Sequence, residues 1–140
     1  MEQRDLLKDQ IEQLGRALGR ILAEFLGTKT EGDIAQSIEI SNERFKSELD
    51  IDIEQLRTLD KEELAAYLCQ RQLAAAHLET LSKYMAIIGT EISDEKMDEA
   101  KQYLKRAIDL LDMADEFSNT VCFERMKEKG EIENTLNNYK

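Results

Sequence analysis

Apolar residues recur along most of this chain at alternating steps of three and four, and that rhythm constrains the fold more than any other feature. Between Asp5 and Leu26, the residues Leu7, Ile11, Leu14, Leu18, Ile21 and Phe25 fall on one stripe of an α-helix. Leu6, Leu22 and Leu26 widen the stripe, which predicts a first helix covered on more than one side. Gly27 is expected to close it. Thr30 is expected to cap a second helix with Asp33 near its positive end, and Ile34, Ile38, Phe45 and Leu49 lie on one face with Ile40 outside it. Leu64, Leu68, Cys69, Leu73, Leu78, Leu81, Met85 and Ile88 carry helical spacing up to Gly89, as one helix or as two broken near Gln70-Arg71-Gln72. Asp60 and Glu63 form a capping box at its start. Ser93 is expected to open the next helix, with Asp94 and Glu95 in its first turn. There Met97, Ala100, Leu104, Ala107, Leu111 and Ala114 make one stripe, and Tyr103, Leu110 and Phe117 a second beside it. Val121, Cys122, Phe123, Met126, Ile132 and Leu136 give a last helix of weaker period, with Gly130 marking a kink or an end.

One stretch breaks the rhythm. Leu49-Asp50-Ile51-Asp52-Ile53-Glu54 alternates apolar and acidic residues, as a strand does. No second alternating run is present to pair with it, and a lone strand leaves its backbone groups unpaired. An irregular connector or a single helical turn with tucked isoleucines is the reading. The chain has no proline, and Val121 is its only valine, which also disfavours a sheet. The expected fold is therefore all-α: one domain over 1–140 of about six or seven antiparallel helices and no sheet, with Ala100, Leu104, Ala107 and Leu111 at the centre of the core.

The bulk numbers bound the function. With 41% hydrophobic residues the chain is too apolar for a disordered tail, and with 35% charged residues it is too interrupted for a membrane span. A net charge of −11 argues against nucleic acid and against anionic membranes, both of which require a basic footprint. The charged start, Met1-Glu2-Gln3-Arg4-Asp5, is unlike a secretory signal, so a cytoplasmic location is expected. Cys69 and Cys122 belong to no CxxC, and buried reduced thiols are expected.

Three segments resemble a known build. Ala100-x3-Leu104-x2-Ala107 is similar to the second-helix signature of a tetratricopeptide (TPR) unit, where small residues let the paired helix approach. Leu14-Gly15-x2-Leu18 resembles the first-helix leucine–glycine pattern, and Gly32-Asp33-Ile34-x2-Ser37-Ile38 the turn and second-helix opening. The tryptophan and closing proline of the regular unit are missing, and Leu14 lies about ten residues too far from Ser37 for a regular repeat. The likeness is to degenerate TPR-like helix-pair proteins. The first two helices and the Leu59-Asp60-Lys61-Glu62-Glu63-Leu64 segment also resemble a bacterial family of unknown function with this build. The TPR-like resemblance implies a helical stack that binds a protein or peptide in a groove.

Candidate chemistry is sparse. Asp50-x-Asp52-x-Glu54 imitates the first ligands of an EF-hand, but Gln55 stands where the turn needs Gly and Lys61 where a bidentate Glu is needed. Asp94, Glu95, Asp98 and Glu99 are carboxylates near a helix start, where the dipole favours them without a metal. The sole histidine, His77, has no positioned partner: Cys69 is eight residues earlier, about 12 Å along a continuous helix. No catalytic residue, metal or cofactor is expected. Two surface features stand out instead. Asp109, Asp112 and Glu116 share one helix face, with Lys105 a turn before them and placed to pair with Asp109; this face is either simply solvated or the acidic wall of a groove selecting basic peptides. Gly15-x3-Gly19-x3-Ala23 makes a smooth strip that would pack inside the monomer or hold a homodimer. The expected function is a protein-interaction module. An enzyme or small-ligand domain with a pocket near His77 and Tyr84 is the alternative, and an acidic mimic of nucleic-acid charge is a third.

Overall fold

The computed structural model describes residues 2–29 and 32–139, with side chains from residue 8 onward; Thr30 and the side chains of Leu6 and Leu7 lie outside the described residues. Seven helices and no strand are found among them. They are α1 (Glu2–Thr28), α2 (Ile34–Leu49), α3 (Ile53–Thr58), α4 (Lys61–Gln70), α5 (Ala75–Glu91), α6 (Met97–Ser118) and α7 (Phe123–Asn138). The chain divides into two compact units, Met1–Glu54 and Gln55–Lys140.

In the first unit α1 and α2 form an antiparallel hairpin. Leu18, Ile21 and Phe25 of the α1 stripe are buried, with Leu22 beside them, while Ile11 and Leu14 of the same stripe are half-exposed. The inward face of α2 is rotated from the expected one: Ser37, Ser41 and Phe45 are buried at steps of four, while Ile34, Ile38 and Leu49 are half-exposed. Charged side chains line the seam and fix its direction. Arg44 of α2 pairs with Glu24 of α1 and with Glu48 one turn on, and Glu48 lies 3.7 Å from Arg20, one turn earlier on α1. Gly27 does not close α1, which continues through it with ordinary helical φ. Asp33 caps α2, its carboxylate accepting from the Ala35 N–H at 3.0 Å.

The alternating segment is a connector, as expected. Asp50 takes the left-handed conformation at φ 56°, and the Asp50 and Ile51 N–H groups return to the carbonyls of Lys46 and Phe45 at 3.1 Å, closing α2. Ile51 and Ile53 are buried, and Asp52 accepts from the Glu54 N–H at 3.0 Å to start the short α3.

In the second unit the stretch from Lys61 to Gly89 is two helices. Gln72 sits at φ 58° in the break, and the Leu73 N–H reaches back to the Leu68 carbonyl at 3.2 Å. The α5–α6 pair is the tightest junction. A Cβ on Gly89 would stand 2.8 Å from Leu104 Cγ and 2.9 Å from the Ala100 carbonyl oxygen, so only a glycine fits there. Seven residues earlier on α5 and seven later on α6, the Ser82 hydroxyl donates to the Ala107 carbonyl at 2.7 Å. The two contacts run in opposite directions along the chain, so the helices are antiparallel. Gly89 therefore lies inside α5 rather than ending it. Ala100, Leu104, Ala107, Leu111 and Ala114 are all buried, and Tyr103 and Leu110 with them. Ser93 does not open α6: it sits in the preceding turn, its hydroxyl donating to the Thr90 carbonyl, and Asp98 and Glu99 occupy the first turn in place of Asp94 and Glu95.

The last helix departs most from expectation. It runs through Gly130 without a break, and Val121, Phe123 and Met126 point outward. Its inward residues are Arg125 and Ile132. Arg125 is buried and donates to Asp115 at 2.7 Å, Glu79 at 2.9 Å, the Ser118 hydroxyl at 3.1 Å and the Thr120 carbonyl at 3.2 Å. One turn on, Lys129 donates to Asp112 at 2.9 Å. Neither cysteine is buried: Cys69 is exposed, Cys122 half-exposed, and both are free.

Three outcomes follow from these packing details. Gly89→Ala should lower the urea midpoint by an amount equivalent to about 1–3 kcal/mol of overpacking, because the new methyl meets a backbone oxygen that has nowhere to move. Gly19→Ala, on a face where a Cβ meets nothing within 4 Å, should instead raise stability by about 0.5–1 kcal/mol through helix propensity. Arg125→Met should cost about 1.5–3 kcal/mol, the range of hydrogen bonds to charged groups, and should speed amide exchange in α7 more than in α5 or α6.

Candidate functional site

An open groove of about 390 Å³ lies between α4 and α6, lined by Lys61, Glu62 and Ala65 of α4 and by Asp109, Asp112, Met113 and Glu116 of α6. Its position rests on the α4 cap. The Asp60 carboxylate accepts from the Glu63 N–H at 2.8 Å, while Glu63 takes a hydrogen bond from the Asp60 backbone, completing the expected box. That backbone bond from Glu63 holds the Asp60 carboxyl below the usual aspartate range; hydrogen bonding and charge from Asp60 push Glu63 above its own.

The α6 wall is fixed by Arg106. This buried guanidinium donates to the Leu59 carbonyl, with the Arg57 carbonyl at 3.5 Å, where α3 has just ended. Its charge suits the free carbonyls of a helix C-terminus. Arg57 in turn donates to Gln102 at 2.5 Å and lies over the Tyr103 ring, 5.4 Å from its centroid.

The three predicted acids of the wall do line the groove, but they are not equivalent. Asp109 lies 3.5 Å from Lys61 across the groove and 3.6 Å from Arg106, so its partners are these and not Lys105. Asp112 holds Lys129 of α7, which raises the ammonium above the usual lysine range. Glu116 and Glu62 are exposed and make no ion pair among the described residues. Met113 is buried and Ala65 half-exposed, so the groove has an apolar floor below a charged lip.

His77 and Tyr84 do not line this groove. They share one face of α5, and both are buried, His77 at 1% exposure. The His77 Nδ1 accepts from the Ala74 N–H at 2.9 Å, so the imidazole closes the start of α5 in the manner of a capping-box acid. A nitrogen occupied in this way is no general base. The helix between Cys69 and His77 is broken, so the 12 Å estimate for a continuous helix does not describe their separation. No group of three His, Cys, Asp or Glu side chains is placed to hold a metal among the described residues. No helix among them is long and apolar enough to cross a membrane. On α1, Gly19 and Ala23 are exposed and Gly15 is half-exposed, and a Cβ on Gly19 would meet nothing within 4 Å, so the α1–α2 hairpin does not cover the strip.

Sequence reasoning missed the α4 side of the groove and the α7 cations. A signal for both is present. Lys61, Glu62 and Ala65 fall at one helical face behind the Asp60 cap, and the basic pair Arg125/Lys129 at four-residue spacing answers the acidic pair Asp112/Asp115 at three.

No protein-family model matches the chain, and no curated protein or solved structure shows significant similarity to it.

Asp60→Ala should lower the urea midpoint at neutral pH by loosening α4. A carboxyl whose folded pKa is depressed contributes stability above the usual aspartate range and loses it as pH falls through the depressed value. The midpoints of wild type and variant should therefore converge in acid.

Proposed function

We propose that this chain is a helical protein-interaction module of TPR-like build, whose α4–α6 groove holds a basic segment of a partner protein. The observation that carries the reading is the groove itself: an apolar floor of Met113 and Ala65 under a lip bearing the unpaired carboxylates of Glu62 and Glu116. Acidic side chains around a shallow apolar floor suit a partner that presents Lys or Arg beside a hydrophobic anchor. The helix order supports the TPR-like part of the reading. In α5–α6–α7 each helix packs on the one before it, and α7 also touches α5, as the next unit does in a stack of helix pairs. The close approach of Gly89 to Ala100 and Leu104 falls within the segment that resembles the second helix of a TPR unit.

The test is titration with a fluorescent peptide carrying lysine and leucine at helical spacing, against a control with glutamate in place of lysine. Binding of the basic peptide, weakening with salt, is the expected result. Glu62→Gln combined with Glu116→Gln removes both free carboxylates without touching an ion pair, and should weaken binding roughly three- to tenfold, as exposed charges do. Equal binding of the acidic control, or full affinity in the double variant, would overturn the reading.

A further inference from the structure

At the turn from α6 into α7 the chain exposes apolar side chains that the fold leaves uncovered. Val121 is 73% exposed, Phe123 79% and Met126 57%. Phe123 and Met126 are one helical turn apart and so are neighbours on α7. Beside this knob lies its chemical counterpart. A second open groove, of about 610 Å³, runs between the α4–α5 break and the end of α6, lined by Cys69, Leu73, Ala75, Ala76, Phe117 and Ser118 among others. No charged residue lines it. Phe123 follows Ser118 by at most about 18 Å of extended chain, so knob and groove belong to the same end of α6. The knob does not fill its own groove, because Phe123 is almost fully exposed.

Charge decides which partner suits this surface. Two copies of a chain with a net charge of −11 repel each other over most of their surface. The stretches 72–78 and 117–123 carry no formal charge, and they supply most of the groove and the start of the knob. A second copy meets the least repulsion there, and it brings both an aromatic side chain and a matching apolar slot. A twofold interface requires this arrangement, because each surface must be complementary to itself. We propose that the chain forms a twofold dimer in which Phe123 and Val121 of each copy seat in the Leu73/Ala75/Phe117 groove of the other. This goes beyond the basic-peptide reading and uses different residues from the α4–α6 groove.

Sedimentation equilibrium of the full chain from low to high micromolar concentration tests it. Wild type should dimerise reversibly. Phe123→Ser should weaken the dimer about a hundredfold or more, because the twofold axis removes two buried anchors at once. Ala76→Glu should do the same by placing charge in the groove; this exposed position in the first turn of α5 favours an acid, so the fold is retained. Mixing the two variants leaves one intact knob and groove pair, and should give a heterodimer weaker than wild type but stronger than either variant alone. Gly19→Leu on α1 should leave the dimer unchanged. A monomeric wild type at high micromolar concentration, a dimer that both Phe123→Ser and Ala76→Glu leave intact, or one that Gly19→Leu dissolves, would overturn the proposal.

Discussion

The absence of a side chain at Gly89 is the constraint on which the second unit is built. It lets the α5 backbone come within van der Waals reach of the Ala100 carbonyl and of Leu104. Ser82 then reaches the Ala107 carbonyl two turns along the same seam. A hydroxyl donating to a carbonyl already inside a helix is possible because carbonyl oxygens have two lone pairs. Burying that hydroxyl without a partner would cost about 1–3 kcal/mol, so the bond fixes the rotation of α5 about its axis as well as its distance. Once α5 and α6 are locked in this register, the outward face of α6 presents Asp109, Asp112 and Asp115 in fixed positions. Lys61 of α4 and Arg125 and Lys129 of α7 are placed against that acidic face.

Excess acid gives the few cations unusual weight. Arg44, Arg106 and Arg125 each hold two partners or more, and each sits at a seam between helices. The guanidinium suits this role because its rigid fork offers five donors in a plane and stays charged when partly desolvated. Arg106 differs from the other two in kind. It satisfies backbone carbonyls just past α3 as well as a carboxylate, and so ties α6 to the approach to α4. The α4–α6 groove is therefore bounded by one cation on a side chain, Lys61, and shaped by another that never enters it.

Where burial was decided by apolar stripes, the sequence could be read closely. Every member of the Met97–Ala114 stripe except Met97 itself lies in the core, and the α4 cap is where Asp60 and Glu63 imply. Legibility failed where a polar group took the place a hydrophobic residue would normally fill. In α2 two of the three buried positions, Ser37 and Ser41, are serines, so the isoleucine pattern points to a neighbouring face. Ser93 has the composition of a helix cap, yet its hydroxyl is used one turn back on Thr90. Gly89 resembles a helix end in sequence, because a terminating glycine and a close-packed glycine differ only in what lies beside them. His77 looked like a candidate for chemistry because histidine is rare here; its role as a helix cap depends on a backbone N–H that only the folded turn places within reach. The acidic wall was legible from spacing alone, but its division into paired and free carboxylates depends on cations from α4 and α7.

The position of α7 shows how one such substitution propagates. Arg125, Lys129 and Ile132 fall at steps of four and three, so they share one face of the helix. That face must meet Glu79, Asp112 and Asp115, and cations meet them better than the hydrophobic residues of the same segment. A helix advances about 100° per residue, so with Arg125 turned inward Phe123 points roughly to the opposite side and Met126 to a flank. The exposure of these apolar side chains is thus a geometric consequence of anchoring α7 through charge. Placing Phe123 inward would rotate Arg125 away from both of its carboxylates and leave them facing each other across the seam. The acidic surface of α5 and α6 therefore both selects the inward face of α7 and turns its hydrophobic one to the outside.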